Sequence, residues 1–153
     1  MDSPTPWIVG AIATIGLVGA IVWFDSRSNA EPSAVVSEEI ATVAADDHVK
    51  GNPDGPVTII EYSDFQCPAC GQFYPIVAKV LEERGGVVRF VYRHLPLPSL
   101  HKHAVETARV AEAAGKQGKF FEMHDRLFEG QAAWSNLDDP TDTFIGYAES
   151  LKL

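Results

Sequence analysis

The pattern of apolar positions divides the 153-residue chain into a hydrophobic N-terminal segment and a mixed α/β segment. Residues 7–24 are apolar throughout except for Thr14. A helix of this length extends about 27 Å, close to the ~30 Å hydrocarbon core of a bilayer. Trp7, Trp23 and Phe24 lie where interfacial aromatic residues are expected. The pattern therefore predicts an N-terminal transmembrane helix.

A secretory signal peptide is the alternative interpretation, because residues 28–30 (Ser-Asn-Ala) resemble a cleavage site. The apolar run is longer than a usual signal core and no basic residue precedes it, which favours an uncleaved anchor over residues 1–24. Arg27 follows the helix, and the positive-inside rule taken alone would place the remaining chain in the cytoplasm. Residues 25–45, rich in Ser, Ala and Glu, predict a flexible linker. The folded domain is then expected over residues 46–153.

Two β-rich apolar runs follow, at residues 57–62 and 87–92, of the kind buried in parallel sheets. Between them, apolar residues recur at helical spacing, and Gly85 and Gly86 then end the helix. Together these elements predict a right-handed βαβ unit, with a short leading strand around Val49. The apolar helix positions, expected to face the core, are Phe73, Ile76, Val77, Val80 and Leu81.

Three further helices are predicted after the second strand. They are expected over residues 101–114, 119–129 and 140–151, with Ser99 and Asp139 as N-terminal caps of the first and third. In the third helix, the residues expected to face inward are Phe144, Ile145, Ala148 and Leu151. The order of elements predicts an α/β domain with a helical insertion after the βαβ unit.

Cys67 and Cys70, the only cysteines of the chain, lie between the first strand and the helix. Pro68 suits the first helical turn, so Cys67 is expected at the helix N-terminus. There the unpaired backbone N–H groups and the helix dipole stabilise a thiolate. Cys70 lies one turn later, within reach of Cys67. This placement predicts Cys67 as the attacking thiolate and Cys70 as the resolving thiol.

Other interpretations of the cysteine pair are a chance spacing, an inert disulfide and half of a metal site. A disulfide at this spacing closes a very small loop and gives little entropic stabilisation. A metal site would need histidines to complete it, and His101 and His103 are two residues apart on a helix, so they do not share a face. We expect no metal and no cofactor. The histidines considered as ligands are His94, His101, His103 and His124.

Residues 47–70, ending in Cys67-Pro68-Ala69-Cys70, resemble the opening of a DsbA-like thiol–disulfide oxidoreductase with a thioredoxin fold. Pro75 matches the proline that kinks the active-site helix of such proteins, and residues 92–101 and 113–128 also resemble that family. The resemblance implies that Cys67 and Cys70 form a redox-active disulfide. Ala69 stands where these proteins often carry a histidine, which points to a less strongly oxidising pair.

The resemblance also implies how the protein works. It implies cysteine-containing protein substrates and a redox partner that recycles the disulfide. It also implies a catalytic domain on the extracytoplasmic side, periplasmic or extracellular, which is opposite to the orientation that Arg27 and the positive-inside rule indicate. The alternatives are a reductase or isomerase of the same fold, and a non-catalytic metal-binding or metallochaperone module that uses Cys67, Cys70 and a histidine. The net charge of −9 and the lack of a basic cluster exclude a nucleic-acid surface.

Family members continue after the helical insertion into a cis-proline loop, two antiparallel strands and a last helix. No strong strand is predicted after Tyr92, and no proline stands at the matching position. We therefore expect a partial thioredoxin-like domain with its C-terminal strands missing, unstable or inactive by itself. Near the cysteines, Phe65, Phe73 and Tyr74 are candidates to line a groove for unfolded substrate, although Phe73 is also expected in the core.

Overall fold

The computed structural model describes residues 38–153, together with Gly19, Ala20 and Trp23, which are helical. No helix among these described residues is both long and apolar enough to cross a membrane. The predicted anchor over residues 1–24 otherwise lies outside the described residues, as does most of the predicted linker. A single helical turn, α1, occupies the linker's end at Glu38–Ala41.

The sheet contains three strands among the described residues, and the short leading strand predicted around Val49 is one of them. In the described part of the chain, the strands are β1 (His48–Gly51), β2 (Val57–Ser63) and β3 (Val88–His94), in the order β1-β3-β2. β1 runs antiparallel to β3 with His48 opposite Tyr92, and β2 runs parallel to β3 with Val57 opposite Val88. The central strand β3 is therefore covered on both edges, whereas the outer edge of β2 has no strand beside it among the described residues.

Five helices follow β2 within residues 38–153. They are α2 (Pro68–Arg84), α3 (Ala104–Gly115), α4 (Phe120–Glu129), α5 (Gln131–Trp134) and α6 (Thr141–Ser150). The βαβ unit formed by β2, α2 and β3 is as predicted, and so are α4 and α6. The short helix α5 was not predicted. Pro140 occupies the N-cap position of α6, so the prediction of Asp139 as the cap was wrong by one residue. The carboxylate of Asp139 nevertheless accepts a hydrogen bond from the Thr141 N–H at 2.9 Å.

The predicted start of α3 was wrong by three residues, and Ser99 does not cap it. His103 occupies the N-terminal cap position instead. Two backbone N–H groups at and before this position bond to buried side chains. The N–H of His103 donates to the Gln66 amide oxygen at 2.6 Å, and the N–H of Leu97 donates to the Asp64 carboxylate at 3.0 Å. These tertiary bonds hold residues 97–103 in turns rather than in a longer helix.

The core is an aromatic cluster between the sheet and the helices α3 and α4. Phe65 is 1% exposed and stacks on Tyr92 with ring centroids 5.2 Å apart, so its predicted place in a substrate groove was wrong. Trp134 of α5 is fully buried and donates its indole N–H to the Leu127 carbonyl at 2.9 Å. Other large members of the cluster are Phe90, Phe120, Met123, Phe128 and Phe144.

Helix α2 contains no fully buried residue. Val77, Val80 and Leu81 pack partly against the core, as predicted, but Phe73 is 62% exposed and Ile76 is 54% exposed. The core assignment of these two residues was wrong. Periodicity identifies the apolar face of a helix but not how much of that face a neighbouring layer covers. Because the sheet ends at the outer edge of β2, part of the apolar face of α2 stays uncovered. Ile145 of α6 was also expected to face inward, but its side chain is half-exposed.

Candidate redox site at Cys67 and Cys70

Cys67 lies at the N-terminus of α2, as predicted. It is the N-cap residue, with extended backbone angles (φ −67°, ψ 121°), and Pro68 begins the helix. Its N–H donates to the Asp64 carbonyl at 3.0 Å, and its carbonyl accepts the Gly71 N–H at 3.0 Å. The first turn of α2 contains no acidic residue that would oppose a negative charge on sulfur. A partly exposed sulfur therefore faces the positive end of a helix of 17 residues.

Cys70 follows one turn later and is also partly buried, and both cysteines are free thiols. Burial raises the pKa of the Cys70 thiol, and the neighbouring Cys67 raises it further. Cys70 is therefore held in its protonated form at neutral pH. A protonated Cys70 suits its predicted role as the resolving thiol.

The other residues that shape the motif are more exposed. Pro68 and Ala69, between the two cysteines, are exposed to solvent. Pro75 lies within α2, where the resemblance placed it, and is exposed too. Because Pro75 has no N–H, it cannot bond to the carbonyl of Gly71 four residues earlier.

Gln131 holds the turn before Cys67, and sequence reasoning missed it. Its side-chain N–H groups donate to the carbonyl oxygens of Phe65 at 2.7 Å and of Cys67 at 2.9 Å. A side chain at Gly71 would collide with the amide of Gln131, so the glycine permits this close approach. The only sequence signal was that glycine directly after the cysteine pair.

Two buried polar side chains, Asp64 and Gln66, tie the same turn to the helical part of the domain. The carboxylate of Asp64 accepts a hydrogen bond from the backbone N–H of Gln66 at 2.8 Å and is hydrogen-bonded to the Nδ1 atom of His101 at 2.9 Å. The amide of Gln66 donates to the Ser135 carbonyl at 2.7 Å. Apart from the local bond between Asp64 and Gln66, the hydrogen-bond partners of these two side chains are 33 to 69 residues away in sequence. Tertiary contacts therefore position the turn.

An apolar groove of about 370 Å³ opens beside Cys70, along the outer edge of β2. Phe73 lines this groove, in agreement with one of its two predicted roles. Tyr62, at 38% exposure, is a second aromatic residue there that the sequence did not single out. We define the β2 groove by Ile59, Tyr62, Ala69, Cys70, Phe73 and Val77.

The histidines considered as metal ligands do not converge with the cysteines. His101 bonds to Asp64, and His103 bonds to Glu106 at 3.1 Å and to the Leu137 carbonyl at 2.9 Å. Within the described residues, no set of three mutually close ligating side chains contains either cysteine. One such set exists elsewhere, formed by His48, His94 and Glu112.

Comparison with known proteins places this geometry in a family. A profile described as thioredoxin matches residues 43–151. The chain belongs to the thioredoxin family, and within it the chain is DsbA-like, as its solved neighbours show. The expected thioredoxin-like α/β fold is thereby confirmed.

Three solved structures illustrate the likeness. A thioredoxin-like oxidoreductase from Silicibacter pomeroyi is 28% identical with a TM-score of 0.59, and the match covers 72% of this chain and 59% of that one. A variant of alpha-DsbA1 from Wolbachia pipientis is 25% identical with a TM-score of 0.65, covering 75% and 58%. Oxidised BdbD from Bacillus subtilis is 26% identical with a TM-score of 0.58, covering 68% and 58%. These neighbours support thiol–disulfide oxidoreductase activity in general.

Sequence relatives are larger proteins. One named Na(+)/H(+) antiporter NhaA 1, from Salinispora arenicola, is 47% identical over 107 residues, which are 70% of this chain and 16% of that protein. A relative named Na(+)/H(+) antiporter NhaA, from Herminiimonas arsenicoxydans, is 36% identical over 107 residues with the same coverage. The chain therefore spans 16% of the length of these curated relatives.

Proposed function

We propose that the chain is a membrane-anchored thiol–disulfide oxidoreductase that exchanges disulfides with cysteine-containing proteins outside the cytoplasm. The observation that carries the proposal is the placement of the two sulfurs: Cys67 at the N-terminus of α2 and Cys70 half-buried one turn later. A partly exposed sulfur at a helix N-terminus, paired with a protonated thiol one turn later, is an arrangement suited to disulfide exchange.

In the oxidising direction the chain starts with a Cys67–Cys70 disulfide. A substrate thiolate attacks the sulfur of Cys67, a mixed disulfide forms, and the sulfur of Cys70 leaves with the bonding electrons and takes up a proton. A second substrate thiolate then attacks the substrate sulfur of the mixed disulfide and releases Cys67 as a thiolate. The substrate loses two electrons, the chain gains them, and a redox partner removes them to restore the disulfide.

In the reducing or isomerising direction the same atoms act in reverse. The Cys67 thiolate attacks a substrate disulfide, and Cys70 releases the substrate by attacking the sulfur of Cys67 after losing its proton. Ala69, between the cysteines, provides no side-chain dipole or charge for the thiolate. Its presence favours a pair less oxidising than one with a histidine there. Against a defined glutathione buffer, the equilibrium disulfide fraction of the pair distinguishes the two directions.

The β2 groove is the proposed docking surface for substrate. It lies beside Cys70, and its aromatic residues Tyr62 and Phe73 are exposed. An unfolded chain segment with a cysteine can place apolar side chains against this surface while its sulfur reaches Cys67. Docking at this surface would let the enzyme act on many sequences, because apolar contact is non-directional.

Membrane anchoring is supported by the sequence and by the relatives. The apolar run over residues 7–24 has the length of a membrane span. Relatives named as Na(+)/H(+) antiporters contain a stretch 36–47% identical to this chain as 16% of their length. We therefore propose that the catalytic domain works at a membrane surface, on the extracytoplasmic side.

Single-cysteine variants test the proposal in the full chain. Cys70→Ser should accumulate a mixed disulfide when its Cys67 thiolate attacks a model substrate that already contains disulfides, such as scrambled ribonuclease, because no Cys70 thiol is present to resolve the adduct. Non-reducing electrophoresis detects this adduct. Cys67→Ser should form little of that adduct and should lose all turnover. If the Cys67→Ser variant exchanged disulfides as well as the wild type, the assignment of roles would be overturned. The metal-binding module would be established instead if the reduced wild type bound one metal ion per chain and had no exchange activity, and if Cys67→Ser no longer bound that metal.

A further inference from the structure

Three potential metal ligands from three different elements converge on one point of the domain. His48 begins β1, His94 ends β3, and Glu112 lies in the last turns of α3. The Nε2 atoms of His48 and His94 lie 2.7 Å and 3.0 Å from the same carboxylate oxygen, Oε1 of Glu112. All three ligand atoms are within 4.8 Å of one another. Across the part of the chain that the structure describes, no other group of three such side chains comes together in this way.

The two imidazoles are held in place by aromatic packing. The ring of His48 stacks on Phe120 with centroids 3.4 Å apart and an angle of 8° between the planes. The ring of His94 meets the edges of Tyr92 at 5.3 Å and of Phe120 at 5.7 Å. Because both rings are fixed by packing on the sheet, their Nε2 atoms point to a common volume before any ligand arrives. Such preorganisation lowers the conformational cost of binding.

The set of donors defines which ion would fit. Two imidazole nitrogens and one carboxylate oxygen are ligands typical of Zn²⁺, at bond lengths of about 2.0–2.1 Å. In a tetrahedron with these bonds, neighbouring ligand atoms are about 3.3 Å apart. The nitrogen–oxygen separations of 2.7 and 3.0 Å must therefore widen by a few tenths of an ångström. The side chain of Glu112 is 45% exposed, so it has room to make this shift.

We propose that His48, His94 and Glu112 form a binding site for a divalent transition metal, with Zn²⁺ as the best-fitting ion. The three residues supply three ligands, and a water molecule takes the fourth position on the exposed side of Glu112. The bound ion links one end of the β1–β3 pair, where β1 begins and β3 ends, to α3. The site does not use Cys67 or Cys70, so it stands apart from the disulfide-exchange chemistry and does not depend on it.

The test is a Zn²⁺ titration of the full chain with Cys67 and Cys70 joined as a disulfide, because free thiols would bind zinc themselves. We expect one Zn²⁺ per chain by calorimetry and a rise in Tm with added Zn²⁺. In the same oxidised protein, Co²⁺ should give the visible bands of a nitrogen- and oxygen-ligated ion without a thiolate charge-transfer band. Binding that disappears when the cysteines are oxidised would place the ion on the thiols and overturn the proposal.

The decisive variant is Glu112→Gln, which keeps the size of a partly exposed side chain. Loss of a direct ligand should weaken Zn²⁺ binding by more than the ~10–100-fold that loss of an outer partner costs. It should also abolish the zinc-dependent rise in Tm. The matched control is Glu106→Gln on the same helix, whose carboxylate contacts His103 and should leave zinc affinity unchanged.

A competing arrangement is a His–Glu–His hydrogen-bonded cluster that binds no metal. In that case the wild type would show no saturable Zn²⁺ binding, and the proposal would be wrong. Equal zinc affinity of the wild type and Glu112→Gln would also overturn it. A second variant, His94→Gln, guards against loss of folding as the cause: circular dichroism should match the wild type while zinc binding is lost.

Discussion

The side-chain amide nitrogen of Gln131 lies 2.9 Å from the carbonyl oxygen of Cys67. This bond, and the second one to the Phe65 carbonyl, fix the backbone of the active-site turn from a helix more than 60 residues away. Gln131 touches no substrate sulfur, so it is a positioning residue. Its role is to hold Cys67 at the end of α2.

Gln131→Ala should lower the free energy of unfolding by about 1–2 kcal/mol, because two backbone carbonyls lose their donor. It should also slow disulfide exchange and change the redox potential of the Cys67–Cys70 pair, which a purely structural role would leave unaltered. The measurements are urea denaturation and equilibration with a glutathione buffer. The control is Gln117→Ala, whose amide is exposed. An unchanged potential in Gln131→Ala would contradict the positioning role.

Gly71→Ala should reproduce the effect of Gln131→Ala, since the added methyl group displaces the Gln131 amide. The two changes remove one and the same contact, so the double variant should be no worse in exchange rate than the poorer of the two single variants. A double-mutant cycle of exchange rates provides the measurement. Strictly additive losses would show that Gly71 and Gln131 act independently.

Thiol labelling should separate the two cysteines by pH. Burial raises the pKa of Cys70, so at neutral pH this residue is mainly a protonated thiol and reacts slowly. In the reduced chain at pH 7, iodoacetamide should therefore label Cys67 first, and labelling of Cys70 should appear only as the pH rises above the usual thiol range. Mass spectrometry of the digested protein measures both sites. Equal labelling rates at pH 7 would contradict the predicted asymmetry.

Phe65 and Phe73 should respond in opposite ways to truncation, although they are only eight residues apart. Phe65→Ala removes a buried ring and should cost about 3–5 kcal/mol of unfolding free energy. Phe73→Ala, at a position 62% exposed, should change stability by no more than about 0.5 kcal/mol but should weaken binding of an unfolded peptide substrate. Urea denaturation and peptide titration test this pair. A large loss of stability in Phe73→Ala would show that the residue is packed.

The Asp47–Arg93 ion pair should make stability depend on pH in the acid range. The guanidinium of Arg93 donates to both carboxylate oxygens of Asp47, at 2.8 and 2.7 Å, and its hydrogen bonds lower the pKa of Asp47. A carboxyl whose pKa is lowered on folding stabilises the fold above its unfolded pKa of about 3.9, and this stability is lost as the pH falls through the lower folded value.

Asp47→Asn should consequently lower Tm at pH 7 and should show a smaller fall in Tm between neutral and strongly acidic pH than the wild type. Thermal denaturation across that range measures both effects. The control is Asp138→Asn, because Asp138 is fully exposed and its ion pair with the half-exposed Lys102 should contribute little. If Asp47→Asn had the same Tm profile as the wild type, the pair would not contribute to stability.

The sequence by itself determined the βαβ unit and the location of the cysteines. Local pattern suffices for these features, because β-branched runs select strands, apolar spacing selects the helix, and Pro68 starts the helix directly after Cys67. The resemblance to DsbA-like proteins rested on this stretch together with residues 92–101 and 113–128, and it was confirmed. Nothing in that pattern indicated Gln131, which lies on a helix of four residues that has no periodicity to detect.

Only the tertiary structure decided what surrounds the motif. The burial of Phe65 and the exposure of Phe73 depend on which neighbouring layer covers each face, and periodicity carries no such information. The later start of α3 depends on hydrogen bonds to Asp64 and Gln66 from residues more than 30 positions away. The convergence of His48, His94 and Glu112 needs the antiparallel pairing of β1 with β3. Contacts between residues distant in sequence follow from chain packing, and no local rule anticipates them.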